Sequence, residues 1–542
     1  MRRKSLAPLL AAAGLMATTV PLLTATQATA AGADAAYLKQ KPNWQRCAAD
    51  QPAAYECATL KVPLDYRRPE GRKIDLAISR IKSTDPGKRH GILLSNPGGP
   101  GGSGLDMPLM MNQLMPKDVR ERYDLIGFDP RGVGRSNPIT CGLTAAEENF
   151  DRAYRPGTYA ADIAWARTVA DKCREKSGDV LRHITTRNTA RDMDTVRAVL
   201  GEKKTSFVGY SYGTYLGAVY SQMFPQRTDR FVLDSAVDPQ RAWRGMIQVW
   251  ATEAEPAFKR WTGWAAERNG AYGLGTTPDA VSKTFWGLVA QADKKPIDFF
   301  GTKLKGDDIR AGRAIFFYPQ QASDIVKQLK AAAEGKPLPK NRATADDLRK
   351  LLPGTLLADA YAGPARGAEP GAPADNGSAV FWAVVCGDTA AWPRYTEQYA
   401  RDAAADKKKY PLYGDMASNI KPCAFWDRPA EAATPMNKQA NVLTVQNEWD
   451  SQTPLVSGQG MHRALKGSRM VLAAGGEGHA VYLFDPRSCV NAPVNDYLST
   501  GRLPAKDLTC KNPPADASRR VAPSPSGSGS PAVPFPNGTP RF

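Results

Sequence analysis

A serine set between two glycines, Gly209-Tyr210-Ser211-Tyr212-Gly213, constrains this chain more than any other feature. A hydroxyl that attacks a carbonyl has to stand exposed on a sharp turn. Small residues two places before and after it let the entering strand and the leaving helix pack closely enough to form that turn. The flanks supply both elements. Ser206-Phe207-Val208 reads as a short apolar strand, and residues 214–220 as the helix that follows. The motif alone arises by chance in a glycine-rich chain, but in strand–turn–helix context chance is the lesser reading.

Further short apolar runs fall at 91–95, 123–128, 230–234, 441–445 and 469–473. Residues 74–78 alternate with period two, as an edge or half-exposed strand does. Such runs, alternating with helical segments, predict an α/β fold with a mostly parallel, buried sheet. The series stops between about residues 241 and 430, where Trp243, Trp250, Trp261, Trp264 and Trp286 lie in helix-like stretches. Val249, Trp250, Phe258, Trp261 and Trp264 recur at roughly helical spacing, which makes a helical core stripe. As a unit the segment reads as a mainly helical cap inserted between sheet strands, with its inner face over the site. The core then comprises residues 31–240 and 431–512.

A serine hydroxyl is a poor nucleophile until a base takes its proton, and that base is usually histidine. The chain has only four histidines. His90 and His183 precede the serine, and His462 falls in a helical stretch. His479 follows Gly478, just after the run at 469–473, which reads as the final strand. On sheets with this kind of elbow the order is serine, acid, histidine, with the histidine after the last strand, so His479 is the expected base. The acid should follow the strand at 441–445. Asp450 is the choice, with Glu448 the competing carboxylate; the plainer role for Asp450 is a turn or helix cap before Thr453-Pro454.

Acyl transfer also needs N–H donors for the developing oxyanion, each worth about 3–4 kcal/mol. Tyr212 supplies the N–H after the nucleophile. Gly99, in the glycine-rich loop 96–104, is the expected second donor, because glycine lets backbone approach the substrate closely. No Gly-Lys-Ser/Thr follows, which argues against a phosphate cradle. Dehalogenase or epoxide hydrolase chemistry would call for an aspartate at position 211. Neither a metal nor an organic cofactor is expected.

Met1-Arg2-Arg3-Lys4, an apolar stretch from Leu6 to Leu23 and Ala28-Thr29-Ala30 make a secretory signal with cleavage after Ala30. A membrane anchor is the weaker reading, since Thr18, Thr19 and Pro21 interrupt the stretch. Export suits the eight cysteines, and pairing in sequence order is expected: Cys47 with Cys57, Cys141 with Cys173, Cys386 with Cys423, and Cys489 with Cys510. None is spaced C-x-x-C, so zinc is discounted. Residues 513–542, rich in proline, serine and glycine, predict a flexible tail. The net charge of +18 is scattered; its clearest run, Lys407-Lys408-Lys409, reads as a solvated helix face. No nucleic-acid signature accompanies it, and loose attraction to an anionic cell envelope is the partner it allows.

Several stretches together resemble the secreted tripeptidyl aminopeptidases of actinobacteria, relatives of the proline iminopeptidases within the α/β-hydrolases. They are residues 57–66, the loop Asn96-Pro97-Gly98-Gly99-Pro100-Gly101 (Asn96-Pro97 standing where iminopeptidases have His), residues 129–136, the elbow at 209–213, Asp450 with Thr453-Pro454, and Gly478-His479. The match runs from about Trp44 to Cys510. The resemblance implies an α/β-hydrolase fold and release of tripeptides, or similar lengths, from free amino termini. Carboxylates near the cap would then bind the protonated amine, the candidates being Glu253, Glu255, Asp359, Glu369 and Asp388. Two rivals stand beside this reading: a secreted esterase or lipase with the same triad, and a non-catalytic envelope-binding protein on a hydrolase scaffold.

Overall fold

The computed structural model describes residues 36–338 and 371–512. The signal segment, the 513–542 tail, Asp359 and Glu369 lie outside the described residues. The frame is a ten-stranded sheet built from β1 (Gln45–Arg46), β2 (Glu56–Pro63), β3 (Lys73–Ile81), β4 (Gly91–Asn96), β5 (Tyr123–Phe128), β6 (Thr205–Tyr210), β7 (Thr228–Asp234), β10 (Val442–Trp449), β11 (Arg469–Glu477) and β12 (Leu508–Lys511). The order across it is β1-β2-β3-β5-β4-β6-β7-β10-β11-β12. Pairing is antiparallel as far as the β3–β5 junction and parallel from β5 onward.

Successive side chains of a strand point to opposite faces, and here both faces are covered. Ile92 and Leu94, Phe207, and Phe231 and Leu233 enter one hydrophobic core, while Leu93, Val208 and Val232 enter the other. Burial on both sides is why these strands are continuous apolar runs. Strand β3 departs from the edge or half-exposed strand expected of it. It lies between β2 and β5 with most of its residues buried, because β1 and β2 add two antiparallel strands outside it. A short strand, β12, also pairs with β11 beyond the run read as final. His479 therefore follows the penultimate strand.

Strands β7 and β10 are neighbours in the sheet, yet more than 200 residues separate them in sequence. The intervening chain includes the helices Arg244–Ala266, Pro278–Lys294, Pro319–Ala333, Asn376–Gly387 and Thr396–Lys409, and a hairpin of β8 (Ile297–Phe299) and β9 (Thr302–Leu304). Helix Arg244–Ala266 buries Ile247, Trp250, Ala254, Ala257, Phe258, Trp261 and Ala265, an i, i+3/i+4 stripe. Phe258, Trp261, Phe285 and Phe316 pack their rings together beneath it. The basic run at 407–409 is not wholly a solvated face, since Lys407 is half-buried and bonds Asp415 at 2.8 Å.

Four disulfides join Cys47 to Cys57, Cys141 to Cys173, Cys386 to Cys423 and Cys489 to Cys510. Each pair is the next in sequence order, so each closes a local loop. Among the described residues no helix is long and apolar enough to cross a membrane.

Candidate active site

Ser211 joins β6 to the helix Tyr212–Met223 with φ +55° and ψ −123°. A residue with a side chain holds that conformation only where its surroundings enforce it. The flanking glycines allow the close crossing. A Cβ on Gly209 would sit 2.4 Å from the Gly213 carbonyl oxygen, and one on Gly213 would sit 2.7 Å from that of Asn96. The Ser211 N–H donates to the Asp234 carbonyl at 3.1 Å, and the Ser211 carbonyl accepts the N–H and hydroxyl of Thr214.

Asp450 closes β10 and His479 follows β11. His479 Nδ1 lies 2.9 Å from Asp450 Oδ1 and 3.0 Å from Oδ2. Asp450 is fully buried and also accepts the N–H groups of Gln452 and Thr453 and the Thr453 hydroxyl. Burial on its own would raise the Asp450 pKa; the His479 charge and these donors outweigh it and hold the carboxyl below its ordinary value. Burial also opposes charge on His479, but the Asp450 carboxylate prevails and holds the imidazole above its ordinary value. With Nδ1–H given to the carboxylate, the neutral ring carries its lone pair on Nε2.

The serine and the histidine loop rest on the same dipeptide. Besides its carbonyl bond to Ser211, Asp234 accepts the N–H groups of Val481 and Tyr482, and Ser235 Oγ accepts that of Ala480. Ser211, Asp450 and His479 all lie past the C-terminal ends of β6, β10 and β11, one edge of a parallel array.

The other histidines are engaged elsewhere. His90 pairs with Asp229 at 2.6 Å, His462 bonds Ser468 and Asp507, and His183 is half-buried at the end of a short 3-10 turn. Glu448 accepts the Gly475 N–H at 2.6 Å.

The glycine-rich loop lies against the elbow. A Cβ on Gly98 would be 2.8 Å from Ser211 Cβ and 2.6 Å from the Tyr210 oxygen, and its φ is +104°. The Gly98 N–H is taken by Asn96 Oδ1 at 3.0 Å. Among the described residues no acceptor takes the N–H of Gly99 or of Tyr212. The far end of the loop is pinned by Asp129, which accepts from the Ser103 hydroxyl and the Gly104 N–H.

The segment between β7 and β10 reaches this centre. Trp250 Nε1 donates to the Gln452 carbonyl at 2.6 Å. The buried Arg313 lies 4.7 Å from the Trp250 ring and 4.8 Å from the Tyr413 ring and donates to the Ser451 carbonyl. Arg260 pairs with Glu477 and lies over the Trp449 ring at 4.3 Å.

The amine-binding candidates separate on geometry. Asp388 is buried and spends both oxygens on Thr186 and on the Trp243 indole, so it is a structural acceptor and not an open amine site. Burial pushes its pKa to about 6. Glu255 accepts the Leu412 N–H, which ties it within the inserted segment. Glu253 is half-buried with its pKa raised by burial, against the lowering effects of the Thr252 hydroxyl it accepts at 3.2 Å and of the Arg241 charge. Residues 250, 253, 257 and 260 share one helix face, so Glu253 stands between Trp250 and Arg260, the two that touch the acid and histidine loops.

Sequence reasoning did not assign roles to Asp129, Asp234 or Arg313. Asp129 and Asp234 each end a predicted strand, which was the available signal; Arg313 carries none, because its partners come from distant parts of the chain.

The sequence matches two families, one described as TAP-like protein over residues 410–510 and one as alpha/beta hydrolase fold over residues 91–284. It is 37% identical over 492 residues to a tripeptidyl aminopeptidase of Streptomyces lividans, covering 86% of each chain. It is 30% identical to the serine protease Hip1 of Mycobacterium tuberculosis, covering 87% of this chain and 91% of that protein. To carboxylesterase B of the same organism the identity is 31%, over 92% and 95% of the two chains.

Proposed function

The chain belongs to the tripeptidyl aminopeptidase family of α/β-hydrolases, and from that premise we propose that it is a secreted serine exopeptidase that releases tripeptides from free amino termini through an acyl-enzyme on Ser211. The observation that carries the reading is the buried Asp450 bonded to His479 Nδ1, with both loops set at the sheet edge that bears the Ser211 elbow.

In the proposed reaction His479 Nε2 takes the Ser211 proton as Oγ attacks the scissile carbonyl. Asp450 stabilises the imidazolium without itself taking a proton. The free N–H groups of Gly99 and Tyr212 receive the oxyanion. Imidazolium then protonates the leaving amine, and water, deprotonated by His479, releases the tripeptide and restores Ser211. The segment 241–430 acts as a cap. Glu253, on its helix face toward the site, holds the substrate α-ammonium, and the distance between that carboxylate and Ser211 fixes the cut length. The four disulfides suit an oxidising compartment and so support export, with cleavage after Ala30.

The test is a panel of tripeptidyl anilides with free and acetylated amino termini set against p-nitrophenyl esters. Preference for the free peptides, lost in Ser211→Ala, is the expected result. An ester-only profile would transfer the chain to the activity named for its carboxylesterase B relative. No labelling of Ser211 by a fluorophosphonate would make it a non-catalytic scaffold.

A further inference from the structure

Asp234 and Ser235 form a buried seat at the end of β7, and both residues are fully shielded from solvent. Four backbone N–H groups converge on the pair, and a fifth hydrogen bond joins its two side chains. The Ser211 N–H donates to the Asp234 carbonyl at 3.1 Å. Val481 N–H and Tyr482 N–H donate to Asp234 Oδ2 at 3.1 and 2.6 Å. Ala480 N–H donates to Ser235 Oγ at 2.8 Å, and that hydroxyl in turn donates to Asp234 Oδ1 at 3.1 Å. Three consecutive N–H groups after His479 are thus collected by two adjacent side chains.

The turn they collect is one the chain does not adopt readily. Ala480 has φ +69° and Leu483 φ +70°, and Ser235 itself has φ +59°. Side-chain-bearing residues stay in that region only where neighbouring contacts over-determine it. On its other flank the loop is tied by Gly478, whose N–H goes to the Trp449 carbonyl and whose carbonyl accepts Asn447 Nδ2. That flank fixes where the loop leaves β11.

We propose that Asp234, acting with Ser235, is a positioning residue for the exopeptidase reaction: it clamps residues 480–482 so that the His479 ring is held in register with Ser211, whose own N–H it anchors through the Asp234 carbonyl. The inference rests on the assignment of Ser211 and His479 as nucleophile and base. One carboxylate is suited to this because it offers several lone pairs to converging N–H donors, which a neutral side chain of similar size does not. The charge is also felt by its neighbours. It adds to Asp450 in raising the His479 pKa, and it raises that of Tyr210. Burial, the largest influence, pushes the Asp234 carboxyl itself to about 7, against the lowering effect of the Tyr482 and Val481 N–H groups.

Asp234→Asn keeps the shape and one acceptor oxygen and removes the charge. With kinetics normalised to fluorophosphonate-titrated sites, we expect kcat to fall about 10- to 100-fold, the cost of misplacing a reacting group by a fraction of an ångström to an ångström, while KM stays within about twofold. The acidic limb of kcat/KM should move down by at most about half a pH unit, since the Asp234 carboxyl, at about 7, carries only part of its charge beside the imidazole in that range. A residue that merely supports folding would lower the yield of titratable enzyme and leave that limb in place. Ser235→Ala, which removes the acceptor for Ala480 and the hydroxyl donated to Asp234 Oδ1 but keeps the carboxylate, should lower kcat several-fold with the limb moved far less than in Asp234→Asn. Wild-type kcat and limb in Asp234→Asn would overturn the proposal; if that variant does not fold, wild-type kcat per titrated site in Ser235→Ala overturns it instead. Ser211→Ala is run alongside: residual turnover there would sink the assignment of the nucleophile, whereas an inert Ser211→Ala with an unaffected clamp variant sinks only the clamp.

Discussion

Trp250 donates its indole N–H to the Gln452 carbonyl at 2.6 Å, two residues beyond Asp450. A helix inserted between β7 and β10 thus holds the loop that presents the acid to His479. Arg313 grips the same loop at the Ser451 carbonyl, 3.0 Å away. Trp250→Phe keeps most of the ring and removes the donor, leaving a carbonyl unsatisfied at a cost of about 1–3 kcal/mol. We expect a lower midpoint in thermal unfolding and a kcat reduced by about tenfold with KM little changed. Unchanged kcat would mean that the inserted segment covers the site without supporting the acid.

The dependence on pH follows from the raised His479 pKa. The imidazole must be neutral to accept the Ser211 proton, so activity falls as pH drops through its pKa. Because Asp450 holds that value above the ordinary histidine value against the opposing effect of burial, the acidic limb of kcat/KM should lie above pH 6.5. Asp450→Asn should lower kcat about 10⁴-fold, since the ring loses both its orientation and the stabilisation of its positive form. A pH–rate profile for wild-type enzyme and single-turnover measurements on the variant check both.

Glu253→Gln addresses the amine. Removing the carboxylate should raise KM for free tripeptidyl anilides by about tenfold, the scale of one hydrogen bond to a charged group. Hydrolysis of N-acetylated or ester substrates should be unaffected. An equal loss on both substrate kinds would place Glu253 in the architecture of the segment and not in recognition.

Arg131 and Asp192 make a stability prediction. Both side chains are fully enclosed and joined at 2.6 and 2.7 Å, and the Tyr66 hydroxyl bonds the same carboxylate. Asp192→Asn strands a buried guanidinium, for which the expected loss is about 3–5 kcal/mol in urea unfolding with the disulfides intact. Activity per folded molecule should stay near wild type.

The local sequence determined the elements and the elbow. Continuous apolar runs mark β4 to β7, β10 and β11 because strands covered on both faces need no polar alternation, and the two glycines around Ser211 record a backbone crossing too close for any Cβ. The scarcity of histidine narrowed the proposed base to His479, and chain order separated the proposed acid Asp450 from the rest. What sequence could not supply was any relation whose partners lie far apart in the chain. Strand β3 looked like an edge or half-exposed strand because alternation reports one strand's exposure and says nothing of β1 and β2 outside it. Asp388 looked like a candidate for substrate, yet its oxygens belong to Thr186 and Trp243, more than a hundred residues away in each case. Asp234 likewise gained its place beneath the histidine loop only when β7 and β10 came to lie side by side, since hydrogen bonds between distant segments depend on the packing of the whole sheet and leave no periodic trace in the order of residues.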